Sequence, residues 1–163
     1  MGGSPVVDDG PLPRVGIGMV LGLLEMLDDA RGRADIFRLA RDLSMELDDI
    51  GPVIEAAKIL GFIDTVRGDI TLTPLAARLL EADINIRKSI LAERLKGIGV
   101  FRDVLRMIRV HRNRRIRRQQ VVDFLAKNMS DEEANALFQT LVDWGRFAEI
   151  IDYDVNGEIL SMA

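Results

Sequence analysis

From Ile17 to Leu27 the chain is apolar at almost every position: Ile17, Met19, Val20, Leu21, Leu23, Leu24, Met26 and Leu27. A helix with so little polar surface has to be buried in its own core or against a partner. Asp28 to Gly32 ends it. Asp35 is placed to cap a short helix with Ile36, Leu39, Ala40 and Leu43 on one side. A third helix is predicted from about Asp48, carrying Ile50, Val53, Ile54, Ala57 and Leu60, with Pro52 in its first turn and Gly61 as a left-handed cap. The apolar period then changes from 3.6 to 2. Phe62–Val66 and Ile70–Leu72 flank Arg67-Gly68-Asp69, the pattern of a β-hairpin. Thr73-Pro74 opens a further helix, with Thr as N-cap and Pro at the first helical position.

The second half repeats this plan. Helices are predicted over Ile84–Leu95, Val100–Val110 and Arg117–Met129. Ser130-Asp131-Glu132-Glu133 has the form of a capping box and opens a helix that Gly145 is expected to end. Phe147–Tyr153 and Glu158–Met162 then flank Asp154–Gly157, whose Asn-Gly pair is a hairpin-turn signal. Leu60-Gly61-Phe62 before the first hairpin and Trp144-Gly145-Arg146-Phe147 before the second suggest an architectural duplication. The predicted fold is mainly α with two small β-hairpins, arranged as tandem winged helix-turn-helix units. Residues 1–14, rich in Gly, Pro and Asp, are expected to form a flexible linker. Residues 15–83 would be the first winged-helix unit, and residues 84–163 the connecting helices and second unit.

Composition narrows the function. Among 163 residues there is no cysteine, which excludes disulfides, thiolate metal sites and cysteine nucleophiles and fits a reducing compartment. The longest apolar stretch, Val15 to Leu24, is half of the roughly 20 residues needed to span a bilayer, and the N-terminus lacks the pattern of a signal peptide. A cytoplasmic location is expected. No Gly-x-x-x-x-Gly-Lys-Ser/Thr cradle is present. Gly16, Gly18 and Gly22 follow no predicted strand and suit a closely packed helix better than a dinucleotide loop. The single histidine, His111, has no second imidazole with which to hold a metal. Asp28-Asp29, Asp48-Asp49 and Asp152/Asp154 stand where caps and turns favour Asp. The chain is therefore expected to be no enzyme and to need no cofactor or metal.

The net charge of −4 conceals an asymmetry: residues 1–83 carry −7, residues 84–118 carry +10 and residues 119–163 carry −7. In a helix-turn-helix that reads DNA, the second helix of the motif lies among phosphates and needs cations. Here the corresponding segments carry Glu46, Asp48, Asp49 and Glu55 against Lys58, and Asp131, Glu132, Glu133 and Asp143 with Arg146 only at the end. Nucleic acid is disfavoured as a partner on this ground. The basic run offers Arg109, Arg112, Arg114, Arg115, Arg117 and Arg118 as candidate partner-binding residues; the competing reading is a solvated connection that neutralises the acidic flanks. No aromatic residue interleaves Arg109–Arg118, so base stacking is unsupported.

Several stretches together resemble the C-terminal AAA-associated domain found behind the ATPase of ABC-type nitrate/sulfonate/bicarbonate transporters. They are Pro11-Leu12-Pro13, Arg33-Ala34-Asp35, Glu55-Ala56-Ala57 running to Leu60-Gly61-Phe62, Gly68–Leu75, and Asp143-Trp144-Gly145-Arg146-Phe147-Ala148-Glu149 with Asp152-Tyr153-Asp154. The resemblance spans residues 11–160 and implies a regulatory, protein-interaction domain in contact with a transporter ATPase. It also implies a cytoplasmic location peripheral to the inner membrane through that complex, so that membrane contact is only indirect. The Ile17–Leu27 helix is a candidate homodimer seam. The alternatives are a winged-helix transcription regulator gripping DNA through Arg112–Arg118, and a small-ligand sensor with a pocket between the units.

Overall fold

The computed structural model describes residues 12–163, so most of the linker expected over residues 1–14 lies outside the described residues. Contacts divide the described chain into two compact units, Val15–Ile90 and Leu91–Ala163, the latter together with the segment 12–14. Leu12 in that segment is buried. The described chain is mainly helical, with eight helices and two small antiparallel sheets.

The first unit runs α1 (Ile17–Asp29), β1 (Arg33–Asp35), α2 (Ile36–Asp42), α3 (Leu47–Ile59), β2 (Ile63–Val66), β3 (Asp69–Leu72) and α4 (Pro74–Glu81). Helix α5 (Ile84–Lys96) contains the division between the units. The apolar side of α1, Ile17, Val20, Leu23, Leu24 and Leu27, is fully buried and packs with α3, β3 and α4. Helix α3 ends as its sequence predicts. Gly61 adopts φ +83°, its N–H bonds the Lys58 carbonyl, and the Phe62 N–H reaches the Ala57 carbonyl (2.9 Å each). The Thr73 hydroxyl accepts from the Ala76 N–H at 3.2 Å and donates to the Gly61 carbonyl at 2.8 Å, tying the end of α3 to the start of α4. Pro52 departs from expectation: α3 starts at Leu47, so the proline lies beyond the first turn, where its missing N–H leaves the Asp48 carbonyl without the helical bond.

The second unit repeats the order: α6 (Gly99–Val110), β4 (Arg115–Arg117), α7 (Arg118–Leu125), α8 (Asp131–Phe147), β5 (Ile151–Asp154) and β6 (Ile159–Met162). In place of two hairpins there are two three-stranded sheets of identical topology, β1-β3-β2 and β4-β6-β5. Each gains a three-residue edge strand that precedes the second helix of its unit. Ala34 opposite Ile70, and Ile116 opposite Leu160, are the buried pairs that hold these edges. The helix predicted over Arg117–Met129 is shorter at both ends: Arg117 belongs to β4, and α7 stops at Leu125 with Ala126 as its cap.

Gly145 does not end α8. The helix passes through it to Phe147, and the left-handed position falls at Glu149, φ +58°, whose N–H bonds Arg146 while that of Ile150 bonds Gly145 (3.0 Å each). The duplicate of Leu60-Gly61-Phe62-Ile63 is thus Ala148-Glu149-Ile150-Ile151, one helical turn beyond the Trp144-Gly145 stretch. The Ser130 capping box forms as predicted: Ser130 Oγ accepts from the Glu133 N–H and Glu133 Oε1 from the Ser130 N–H, both at 3.0 Å.

Candidate functional site

Matching the two units strand by strand exposes a difference in charge at one place in the fold. Antiparallel register sets Arg33, Ala34 and Asp35 against Thr71, Ile70 and Asp69, and sets Arg115, Ile116 and Arg117 against Ser161, Leu160 and Ile159. In the first unit this corner satisfies itself. Arg33 Nε donates to Asp69 Oδ2 at 2.7 Å, and the Asp35 carboxylate caps α2 by accepting the Arg38 N–H at 2.8 Å. In the second unit the aspartate opposite the edge strand is Ile159, and the capping carboxylate is replaced by Arg117. A guanidinium has no acceptor to offer the N-terminal amides of α7, and its charge opposes the positive end of the helix. What remains of a cap is the Gln120 side chain, whose Oε1 accepts the Arg117 N–H at 2.9 Å.

Arg115 and Arg117 stand two residues apart on one strand, so their side chains share a face with Cα atoms roughly 6.6 Å apart. With His111, Asn113, Gln120 and Ile159 they line a cleft of about 570 Å³. Neither guanidinium has a carboxylate within 4.0 Å among the described residues. His111 Nδ1 faces the Asn113 N–H at 3.4 Å.

The other candidate arginines separate into different roles. Arg118 is held inside its own unit: its guanidinium lies 4.8 Å from the centre of the Phe138 ring, Nη2 donates to Asn135 Oδ1 at 2.9 Å, and its N–H donates to the Glu158 carbonyl. Phe138 in turn meets the Tyr153 ring edge-on, with centroids 5.3 Å apart. Arg109 lies in the last turn of α6, where a cation complements the helix end. Arg112 and Arg114 are exposed in the connection to β4, and Arg114 adopts φ +55° with its N–H on the His111 carbonyl at 3.0 Å. The structure therefore gathers two of the six candidates and adds His111, Asn113, Gln120 and Ile159. Ile159 carried no sequence signal, because only the sheet register makes it the counterpart of Asp69.

The acidic surfaces are real and have local causes. Asp48 and Asp49 occupy the first turn of α3, and Asp131, Glu132 and Glu133 that of α8, all exposed, where carboxylates complement the helix dipole. Hydrogen bonds from the Ser130 backbone and hydroxyl, reinforced weakly by the charge of Arg14, hold the Glu133 carboxyl below its ordinary value of 4.5. A second depression of about 510 Å³ runs along α8 over Gln139, Val142, Asp143, Arg146 and Phe147. On α1, the candidate dimer seam, Ile17, Val20, Leu23, Leu24 and Leu27 serve the unit's own core, while Leu21 and Met26 are half-buried and Met19 is 45% exposed. Among the described residues no helix is long and apolar enough to cross a membrane.

A family model described as the C-terminal AAA-associated domain matches residues 37–154, from the second residue of α2 to the last of β5. No curated protein and no solved structure matches the chain.

Proposed function

We propose that this chain, which belongs to the family of C-terminal AAA-associated domains, is a non-catalytic module that docks on an ABC-type transporter ATPase and regulates it. The repeated order of helix, edge strand, two helices and two-stranded wing supports reading each unit as a winged helix-turn-helix. In that reading α3 and α8 are the helices that would enter a DNA groove. The observation that carries the proposal is their charge. Exposed Asp48, Asp49 and Glu55 on α3, and Asp131, Glu132 and Glu133 on α8, repel a phosphate backbone. The same carboxylates suit a basic protein surface, for which electrostatic complementarity sets specificity and the rate of encounter. Association with the cytoplasmic side of the membrane would then be indirect, through the transporter.

The test is affinity capture of the tagged full chain from its own cells, followed by identification of the retained proteins. Recovery of a transporter ATPase, lost with Asp131→Lys and Glu132→Lys, is expected. Repeated capture without any ATPase overturns the proposal. The rival reading, DNA binding through Arg112–Arg118, draws on the guanidiniums of Arg115 and Arg117, which lack a carboxylate partner among the described residues. It predicts a salt-dependent gel shift that Arg114→Glu and Arg117→Glu abolish.

A further inference from the structure

We infer that the cleft bounded by Arg115, Arg117 and His111 is a binding site for the phosphate group of a small soluble molecule. The inference goes beyond association with an ATPase and does not depend on it. Its ground is the internal comparison the duplicated fold provides. At the three matched corner positions the first unit carries Arg33, Asp35 and Asp69, and its carboxylates answer both the arginine and the start of α2. The second unit carries Arg115, Arg117 and Ile159. Net charge at the corner changes from −1 to +2 while topology and register are kept. The places of both internal anions are vacated together, and a depression of about 570 Å³ stands at that corner.

The chemistry of the lining selects the ligand class. Two guanidiniums on one face present planar N–H forks, which match the oxygens of phosphate in the bidentate manner that ammonium groups do not. His111 and Asn113 from the loop after α6 form one side, and the Gln120 side chain adds a further polar group. Ile159, half-buried where Asp69 stands in the first unit, gives the lining an apolar element that an inorganic ion would not use. The volume lies within the usual range of roughly 300–1,000 Å³ for small-molecule sites. A phosphate monoester with a compact organic body fits these features better than a protein surface, which needs about 800 Å² on each partner.

The experiment is calorimetric titration of the full chain with inorganic phosphate and with AMP as probes, at about 0.15 M salt so that diffuse attraction is screened. Saturable binding of AMP is expected, weakened about tenfold by either Arg115→Gln or Arg117→Gln, with Arg112→Gln unchanged. The double variant Arg117→Asp, Ile159→Asp rebuilds the self-satisfied corner of the first unit. It is expected to abolish binding while keeping the wild-type circular dichroism spectrum, so loss of the site is separated from loss of the fold. Absence of binding to either probe in the millimolar range overturns the inference, as does equal weakening by Arg112→Gln. Sedimentation with phosphatidylglycerol vesicles, without binding of the free probes, also overturns it by assigning the cleft to lipid.

Discussion

Gly145 and Ile151 approach so closely that a Cβ on the glycine would stand 2.5 Å from both Cγ1 and Cδ1 of the isoleucine. The glycine sits inside α8 with an ordinary helical backbone, so conformational freedom does not explain it; space does. It lets the first residue of β5 pack directly on the helix that precedes it, beside Trp144, which is fully buried. Gly145→Ala is expected to destabilise the protein by about 1–3 kcal/mol through overpacking. That sign is opposite to the gain of up to about 1 kcal/mol that alanine brings to an unconstrained helix. Urea denaturation checks it, and the cost should shrink in an Ile151→Ala background because the two positions couple.

Arg118 and Arg112 belong to one basic run but are expected to respond differently to removal. Arg118→Ala takes away a cation from the Phe138 ring and the bond to Asn135, and should cost about 1 kcal/mol. Arg112→Ala removes an exposed side chain with no partner among the described residues and should stay within about 0.5 kcal/mol of wild type. Thermal unfolding of the two variants side by side decides the point.

Arg117 occupies the N-cap of α7, where a carboxylate would accept an amide and complement the dipole, as Asp35 does for α2. Arg117→Asp is therefore expected to raise stability by about 1 kcal/mol, and Asp35→Ala to lower it by a similar amount. A natural residue whose replacement stabilises the fold is what a binding role at that position would leave behind. The unfolding midpoints of the two variants should move in opposite directions.

Glu133 gives the fold a defined acid sensitivity. Its carboxyl is held below 4.5 chiefly by hydrogen bonds from Ser130. A group whose value is depressed in the folded state contributes stability that is fully present above its unfolded value and is lost as pH falls through the folded one. Between about pH 6 and pH 3, wild type should therefore lose more stability than Glu133→Gln, in which nothing titrates at that position. Urea midpoints across that range, with Ser130→Ala as a second variant that relaxes the depression, measure the difference.

Much of the local structure was legible in the chain because its causes are local. Asp35, Thr73 and Ser130 each accept the N–H three residues on, and α3 closes through the Gly61 N–H on the carbonyl three residues back and the Phe62 N–H on the one five back. Such signals act within one helical turn. The edge strands β1 and β4 were not legible: each is three residues long with a single inward side chain, too short for a period of two to register. Gly145 misled for a related reason. A glycine near the end of a helical pattern has the sequence signature of a stop, and only the arrival of Ile151 against it shows a contact instead.

By itself the sequence determined most of the helices and the two hairpins, their repetition and the acid-rich starts of α3 and α8, all of which follow from periodicity, capping chemistry and charge along short spans of chain. Tertiary structure alone decided which arginines lack partners. Arg118 meets Phe138 twenty positions away, while Arg115 and Arg117 border Ile159 across a sheet, more than forty positions away, where the first unit has Asp69. Charge is written residue by residue, but whether it is answered depends on what folding brings beside it, and Coulomb's law acts through space without regard to sequence distance.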